Sequence, residues 1–168
     1  MLERLPEYVD PLQLADSRRL LTGRVALADM QRLAPSLYST EGSATVDLEF
    51  GKDEQHIPYL RGHITAQVTV LCQRCLQPMV LDLHTEPCLG MVKSEGQAET
   101  LPENYEPLWV NAPVMPLAAI VEDELLLALP SVPKHADINC AAHIARPAEP
   151  ETATRKNPFE LLAQLKKQ

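Results

Sequence analysis

Three stretches of the chain alternate apolar and polar residues with a period of two, and nothing else in the sequence restricts the fold as much. In SATVDLEF, residues 43–50, Ala44, Val46, Leu48 and Phe50 alternate with Thr45, Asp47 and Glu49. In RGHITAQVTVLC, residues 61–72, Ile64, Ala66, Val68, Val70 and Cys72 share one face, and His63, Thr65, Gln67 and Thr69 the other. In PMVLDLHTE, residues 78–86, Met79, Leu81 and Leu83 oppose Val80, Asp82 and His84. Successive side chains of a strand point to opposite faces, so each stretch presents one dry and one wet side. The last two are separated by a short turn and predict an antiparallel hairpin. A fourth run, LLTGRVAL, carries Gly23 as a weak point or bulge and can extend the meander. The expected strands are 19–27, 43–51, 59–72 and 78–92, with one more short strand over 105–110.

Helices are expected around this sheet. Asp10 before Pro11 is an N-cap with proline at the first helical position, and predicts a short helix to Ser17. Asp29 opens a second, with Met30, Leu33 and Leu37 at helical spacing and Pro35 disturbing its end. LAAIVEDELLLAL predicts the main helix over 116–129, stopped by Pro130 and Pro133. Residues 94–104 are polar and acidic and read as a loop. AAHIARPAEPETATRK has no apolar period and reads as a flexible linker over 141–156. In 157–168, Asn157 caps, Pro158 starts and Phe159, Leu162 and Leu165 mark one face of a terminal helix too short to be stable alone. The fold class expected is therefore α+β: a twisted antiparallel sheet packed against a long helix, with short N-terminal helices and a tethered C-terminal helix. The first domain is placed at 1–140.

Charge narrows the function classes. The net charge is −8, which excludes a binder whose affinity comes from bulk positive charge. The acidity is concentrated in the middle. Residues 93–131 carry one basic and seven acidic groups, while 132–168 carry six basic and four acidic. No apolar run approaches the roughly 18 residues of a membrane span. The beginning, MLERLPEYVD, has charges and a proline where a signal peptide needs an apolar stretch. A cytoplasmic protein with no membrane partner is expected.

There are four cysteines, Cys72, Cys75, Cys88 and Cys140. A reducing cytosol disfavours disulfides. Cys72-Gln-Arg-Cys75 falls at the hairpin tip, where both sulfurs can face one tetrahedral zinc ion. His135 and Cys140, spaced H-x4-C after the main helix, are the candidates to complete the set. The pair can equally be two small core thiols, Cys72 simply continuing its strand's apolar face. A redox pair of the thioredoxin kind needs a helix after the second cysteine to lower the thiol pKa; here Pro78 and a strand follow.

Glu122-Asp123-Glu124 points in three directions around the main helix. Glu124 falls among Leu117, Ile120, Val121, Leu127 and Ala128, so it reaches water at the boundary, takes a basic partner such as Arg74, or supports a metal ligand. The basic residues cluster as Arg18-Arg19 with Arg24, Arg155-Lys156, and Lys166-Lys167. These can meet phosphates at either end of the chain. His56, His63, His84 and His143 are scattered and read as surface or strand polar face. There is no glycine-rich phosphate loop, no G-x-S-x-G and no H-E-x-x-H.

Taken in order, DPLQLA, VTVLCQRCLQP, LPENYEPLWVN, VEDELLLALPSVPKH with Cys140, and KNPFELLAQLKK make a pattern that resembles the YceD family of large ribosomal RNA subunit accumulation proteins. The resemblance implies a non-enzymatic cytoplasmic factor in ribosome biogenesis, supporting accumulation or processing of 23S rRNA. Its partner is then the assembling large subunit, met through rRNA or through a basic protein. An alternative is a zinc-stapled interaction module acting on rRNA indirectly. A metal- or thiol-dependent enzyme is the third reading. Some relatives carry more cysteines in the segment matching Pro133 to Cys140; this chain keeps His135 and Cys140 there.

Overall fold

The structure is a computed structural model that describes residues 3–142 and 144. In chain order its elements are β1 (Glu3–Arg4), β2 (Tyr8–Val9), α1 (Pro11–Asp16), β3 (Leu20–Ala26), β4 (Ser43–Lys52), β5 (Pro58–Leu71), β6 (Pro78–Thr85), β7 (Cys88–Val92), α2 (Glu95–Glu99), β8 (Glu106–Trp109), β9 (Met115–Pro116) and α3 (Leu117–Ala128). Single 3-10 turns lie at Leu27–Asp29 and Ala34–Ser36. The chain divides into two units, Met1–Ala136 and Asp137–Gln168. All the elements above belong to the first. No helix among the described residues is long and apolar enough to cross a membrane.

The large sheet runs β1-β3-β4-β5-β7-β8, with β6 also paired to β5. β5 is its spine. Ala44 faces Ala66 and Lys52 faces Pro58 along the β4–β5 hairpin. On β5's other side, Ile64 faces Thr85 of β6 and Arg61 faces Cys88 of β7. These pairs share one register. β6 and β7 are thus a single strand interrupted at Glu86 and Pro87, because proline has no N–H to give the ladder. The Pro87 carbonyl still accepts from Gly62 N–H at 3.2 Å. Gly62 itself is required: a Cβ there would lie 1.9 Å from the Asp47 carbonyl oxygen.

Alternation places Ala44, Val46, Leu48, Phe50, Ile64, Ala66, Val68 and Val70 in the core. The cover over this face corrects the expected architecture. It is not one long helix. α3 is a helix of 12 residues, because Pro116 and Pro130 bound it. It contributes Leu117, Ile120, Val121 and Leu125. α1 contributes Ala15, and the irregular segment after β3 contributes Leu27, Met30 and Leu33, all three wholly buried. The second N-terminal helix expected from Asp29 is absent: Pro35 leaves only the two 3-10 turns, although its apolar residues do point inward. The sheet dominates the molecule and is mixed, since β1 pairs β3 and β8 pairs β7 in parallel. Within 94–104, expected as loop, Glu95–Glu99 forms one short helix.

The N-terminal segment is tied to the start of α3. Tyr8 pairs Pro116, Val9 pairs Met115, and Leu117 N–H donates to the Glu7 carbonyl at 3.0 Å. Asp10 caps α1 as expected, accepting Gln13 N–H at 3.0 Å. The linker expected over 141–156 lies outside the described residues, except for 141, 142 and 144. The terminal helix expected over 157–168 lies wholly outside them, and so do Arg155, Lys156, Phe159, Leu162, Leu165, Lys166 and Lys167.

Candidate metal centre

Where β5 ends, the chain reverses through Cys72–Gln77 before entering β6. Cys72 N–H donates to the Gln77 carbonyl at 3.0 Å, and Leu76 N–H to the Cys72 carbonyl at 2.8 Å. Leu76 is left-handed, at φ +57. That conformation costs a residue with a Cβ roughly 1–2 kcal/mol, so the turn is held by something stronger than its own preference.

Sulfur adds to those backbone bonds. Arg74 N–H and His135 N–H each donate to Cys72 Sγ at 3.4 Å. Cys75 Sγ lies 3.3 Å from His135 Nδ1. Cys72 exposes none of its surface and Cys75 very little. The post-helix segment is clamped alongside, with Gln73 N–H donating to the Pro133 carbonyl at 2.8 Å. Burial pushes the Cys72 thiol up, but the backbone N–H groups of His135, Cys75 and Arg74 and the Cys75 thiol outweigh it, and the pKa falls to about 5. A thiolate is the form that binds metal.

The ligand atoms of Cys72, Cys75 and His135 lie within 4.8 Å of one another. Tetrahedral zinc bound at about 2.3 Å by sulfur and 2.0–2.1 Å by nitrogen places two sulfurs and a nitrogen roughly 3.5–3.8 Å apart. The donor set, its spacing and its ionisation therefore fit zinc. No disulfide joins the four cysteines. Cys140 belongs to the second unit, where a run of tight turns carries it. Asp137 accepts Asn139 N–H at 2.8 Å through Oδ1 and Cys140 N–H at 3.3 Å through its carbonyl.

A family model described as "Large ribosomal RNA subunit accumulation protein YceD" matches residues 60–166. The chain is also 36% identical to the Haemophilus influenzae protein of that description, with 97% of each sequence covered. The chain belongs to the YceD family. No solved structure matches it. Within this YceD-family chain, the described basic residues do not form one patch. Arg18 and Arg19 follow α1 and line a shallow depression with Leu20, Lys52 and Tyr59. Arg24 lies on the outer sheet face, beside Thr45, Thr65 and His84. Two further bases near the first pair escaped sequence reasoning, and both are already engaged. Lys52 pairs with Asp16, and Arg61 makes three contacts of 3.1–3.2 Å with the Glu49 carboxylate.

The acidic run of α3 also differs from expectation. Glu122 and Glu124 are both buried. Glu122 accepts Arg32 N–H and, at 2.9 Å, Leu33 N–H on one oxygen, and Arg32 Nε at 3.0 Å on the other. Arg32 also pairs with Asp123. Glu124 accepts from Thr85 Oγ1 at 3.4 Å. Burial, then the charge of Glu106, raises its pKa above the usual carboxylate range. The base that answers the acidic run is therefore Arg32, and it answers Glu122 and Asp123. No local pattern signals this, because Arg32 lies 90 residues away in sequence from Glu122.

Proposed function

We propose that this chain is a non-enzymatic, cytoplasmic factor in assembly of the large ribosomal subunit, supporting accumulation or processing of 23S rRNA. The observation that carries the reading is the near full-length match to a relative named for large ribosomal RNA subunit accumulation. The protein's part is that of a rigid binding module. Cys72, Cys75 and His135 hold one zinc ion, and Cys140, five residues beyond His135 in the sequence, is the fourth ligand we assign on chain spacing. Zinc in such a site contributes folding energy rather than chemistry. An acidic chain meets the particle either through a basic ribosomal protein or by touching rRNA phosphates with Arg18, Arg19, Arg24, Arg155, Lys156, Lys166 and Lys167. Phe159, Leu162 and Leu165 supply an apolar face for a partner groove.

The enzyme reading loses support from the turn itself. After Cys75 the chain enters β6, not a helix whose dipole would activate a thiol. The indirect module keeps support from the same turn, since a stapled knuckle needs no RNA.

Ultraviolet crosslinking of the tagged protein in growing cells separates these. Crosslinks concentrated on large-subunit rRNA are the expected result. A stoichiometric protein partner without RNA crosslinks would make the rRNA effect indirect. Removal of residues 157–168 is expected to weaken retention on the particle and leave the thermal transition in place. Loss of that transition would assign the terminal segment to the fold instead.

A further inference from the structure

A second set of metal-type ligands stands on the wet face of the sheet, within the first unit. The β5–β6 register pairs Ile64 with Thr85, so one step further His63 comes opposite Glu86. His84, two residues before Glu86, points to the same side. The consequence is a three-way convergence. His84 Nε2 is 3.1 Å and His63 Nδ1 is 3.5 Å from Oε1 of Glu86. The two imidazole rings are nearly parallel, 14° apart, but their centroids are 6.2 Å apart. They are an offset, loosely stacked pair with the Glu86 carboxylate within reach of both.

From this geometry we propose that His63, His84 and Glu86 form a binding site for a divalent transition-metal ion of the zinc class. The three ligand atoms lie within 4.8 Å of one another. Two of the separations, 3.1 and 3.5 Å, bracket the roughly 3.3 Å edge of a tetrahedron with metal–ligand bonds near 2.0–2.1 Å. Imidazole and carboxylate are ligands suited to zinc, and a mixed set of three leaves a position open. All three side chains are more than half exposed, so that position faces solvent and can take water or an oxygen ligand from outside.

The backbone beneath the site is fixed on both flanks. Gly62 N–H is bonded to the Pro87 carbonyl, and Gly62 is packed against Asp47. Asp47 faces His63 from β4 and adds negative charge. Arg61, two residues from His63 on the same face, is held by Glu49. The His84 hydrogen bond first, and the nearby charge of His63 next, hold the Glu86 carboxyl below its usual range. It is therefore ready as an anionic ligand. This inference does not rest on the ribosomal reading; its test assigns the first equivalent of zinc to the cysteine centre and counts what binds beyond it.

The test uses the full chain, reduced and saturated with one equivalent of Zn²⁺, then titrated with further Zn²⁺ at pH 7.5 in a non-chelating buffer. Calorimetry reads the stoichiometry, and the imidazole resonances of His63 and His84 read the place. The expected result is one additional equivalent that shifts both rings. His84→Asn, His63→Asn and Glu86→Gln should each weaken it by more than the roughly tenfold to hundredfold typical of a merely supporting group. The substituted positions are exposed, and an unchanged circular dichroism spectrum certifies each variant's fold. Zinc uptake equal in wild type and His84→Asn, or saturation that moves neither ring, overturns the proposal.

Discussion

The β4–β5 hairpin and the Cys72–Gln77 turn share a strand, yet they are held together by different means. In the hairpin strands, nine buried apolar side chains line one face, and one register of backbone pairing runs from Ala44 opposite Ala66 to Lys52 opposite Pro58. Burial of this kind contributes about 25 cal/mol per Å² and needs no ligand. The turn offers little of that. Leu76 is exposed and left-handed, and the neighbouring segment is tied by one backbone bond and by contacts to sulfur. The hairpin carries its own stability, whereas the turn borrows it from whatever the thiols hold. That contrast can be pressed experimentally from either side.

The largest effect is expected inside the hairpin. Gly62→Ala forces a methyl group onto the Asp47 carbonyl and separates β4 from β5. A loss of about 4 kcal/mol or more is expected in urea denaturation. A loss under 1 kcal/mol would mean that the two strands yield easily. Next comes the support from α3. Glu122→Ala strands the backbone N–H groups of Arg32 and Leu33 and should cost about 3 kcal/mol. Glu122→Gln keeps an acceptor for both amides and should cost clearly less.

Cys75→Ser probes the other region. Amide hydrogens of Gln73 and His135 are expected to exchange roughly a hundredfold faster, while those of β4 and β5 keep their protection, as for a local opening. Collapse of protection across the sheet would merge the two regions into one cooperative unit. The smallest effect is one of pH. Glu124 has a folded-state pKa raised by burial and by Glu106. The stability this shift contributes is present below the unfolded carboxylate pKa and is lost as pH rises through the folded one. Wild type should therefore lose stability relative to Glu124→Gln as pH rises above the ordinary carboxylate pKa of about 4.3, measured by thermal melts. Parallel curves for the two proteins would show that Glu124 reaches water after all.

The legibility of the sequence divides along the same line. Strands over 43–52 and 58–71 are readable to within a residue because a period of two has no competing explanation in so long a run. The ligand types of the turn are readable from C-x-x-C and the histidine after the main helix. The amides that point at Cys72 Sγ are not, since they come from backbone geometry that no residue identity encodes. Met30 and Leu33 announce burial correctly, but their spacing suggests a helix that Pro35 prevents. Glu122 is the clearest miss. Rotation around the helix axis singles out Glu124, and only tertiary structure brings Arg32 to its neighbour. β1 and β8 are too short to carry a pattern, so the parallel pairings go unannounced.

Pro87 breaks the ladder without shifting its count, and this has a consequence for how the gene can vary. β6 and β7 are read in one frame across the gap. Substitution at residue 86 or 87 leaves that frame alone. Inserting or deleting a single residue there would keep every partner of β6 and exchange the two faces of β7, both of them buried, forcing a bulky side chain into the place where Gly90 now packs against Leu101 and Tyr105. Length changes at this joint should be tolerated only in twos, so the interruption that looks like the sheet's weakest point is among its least editable.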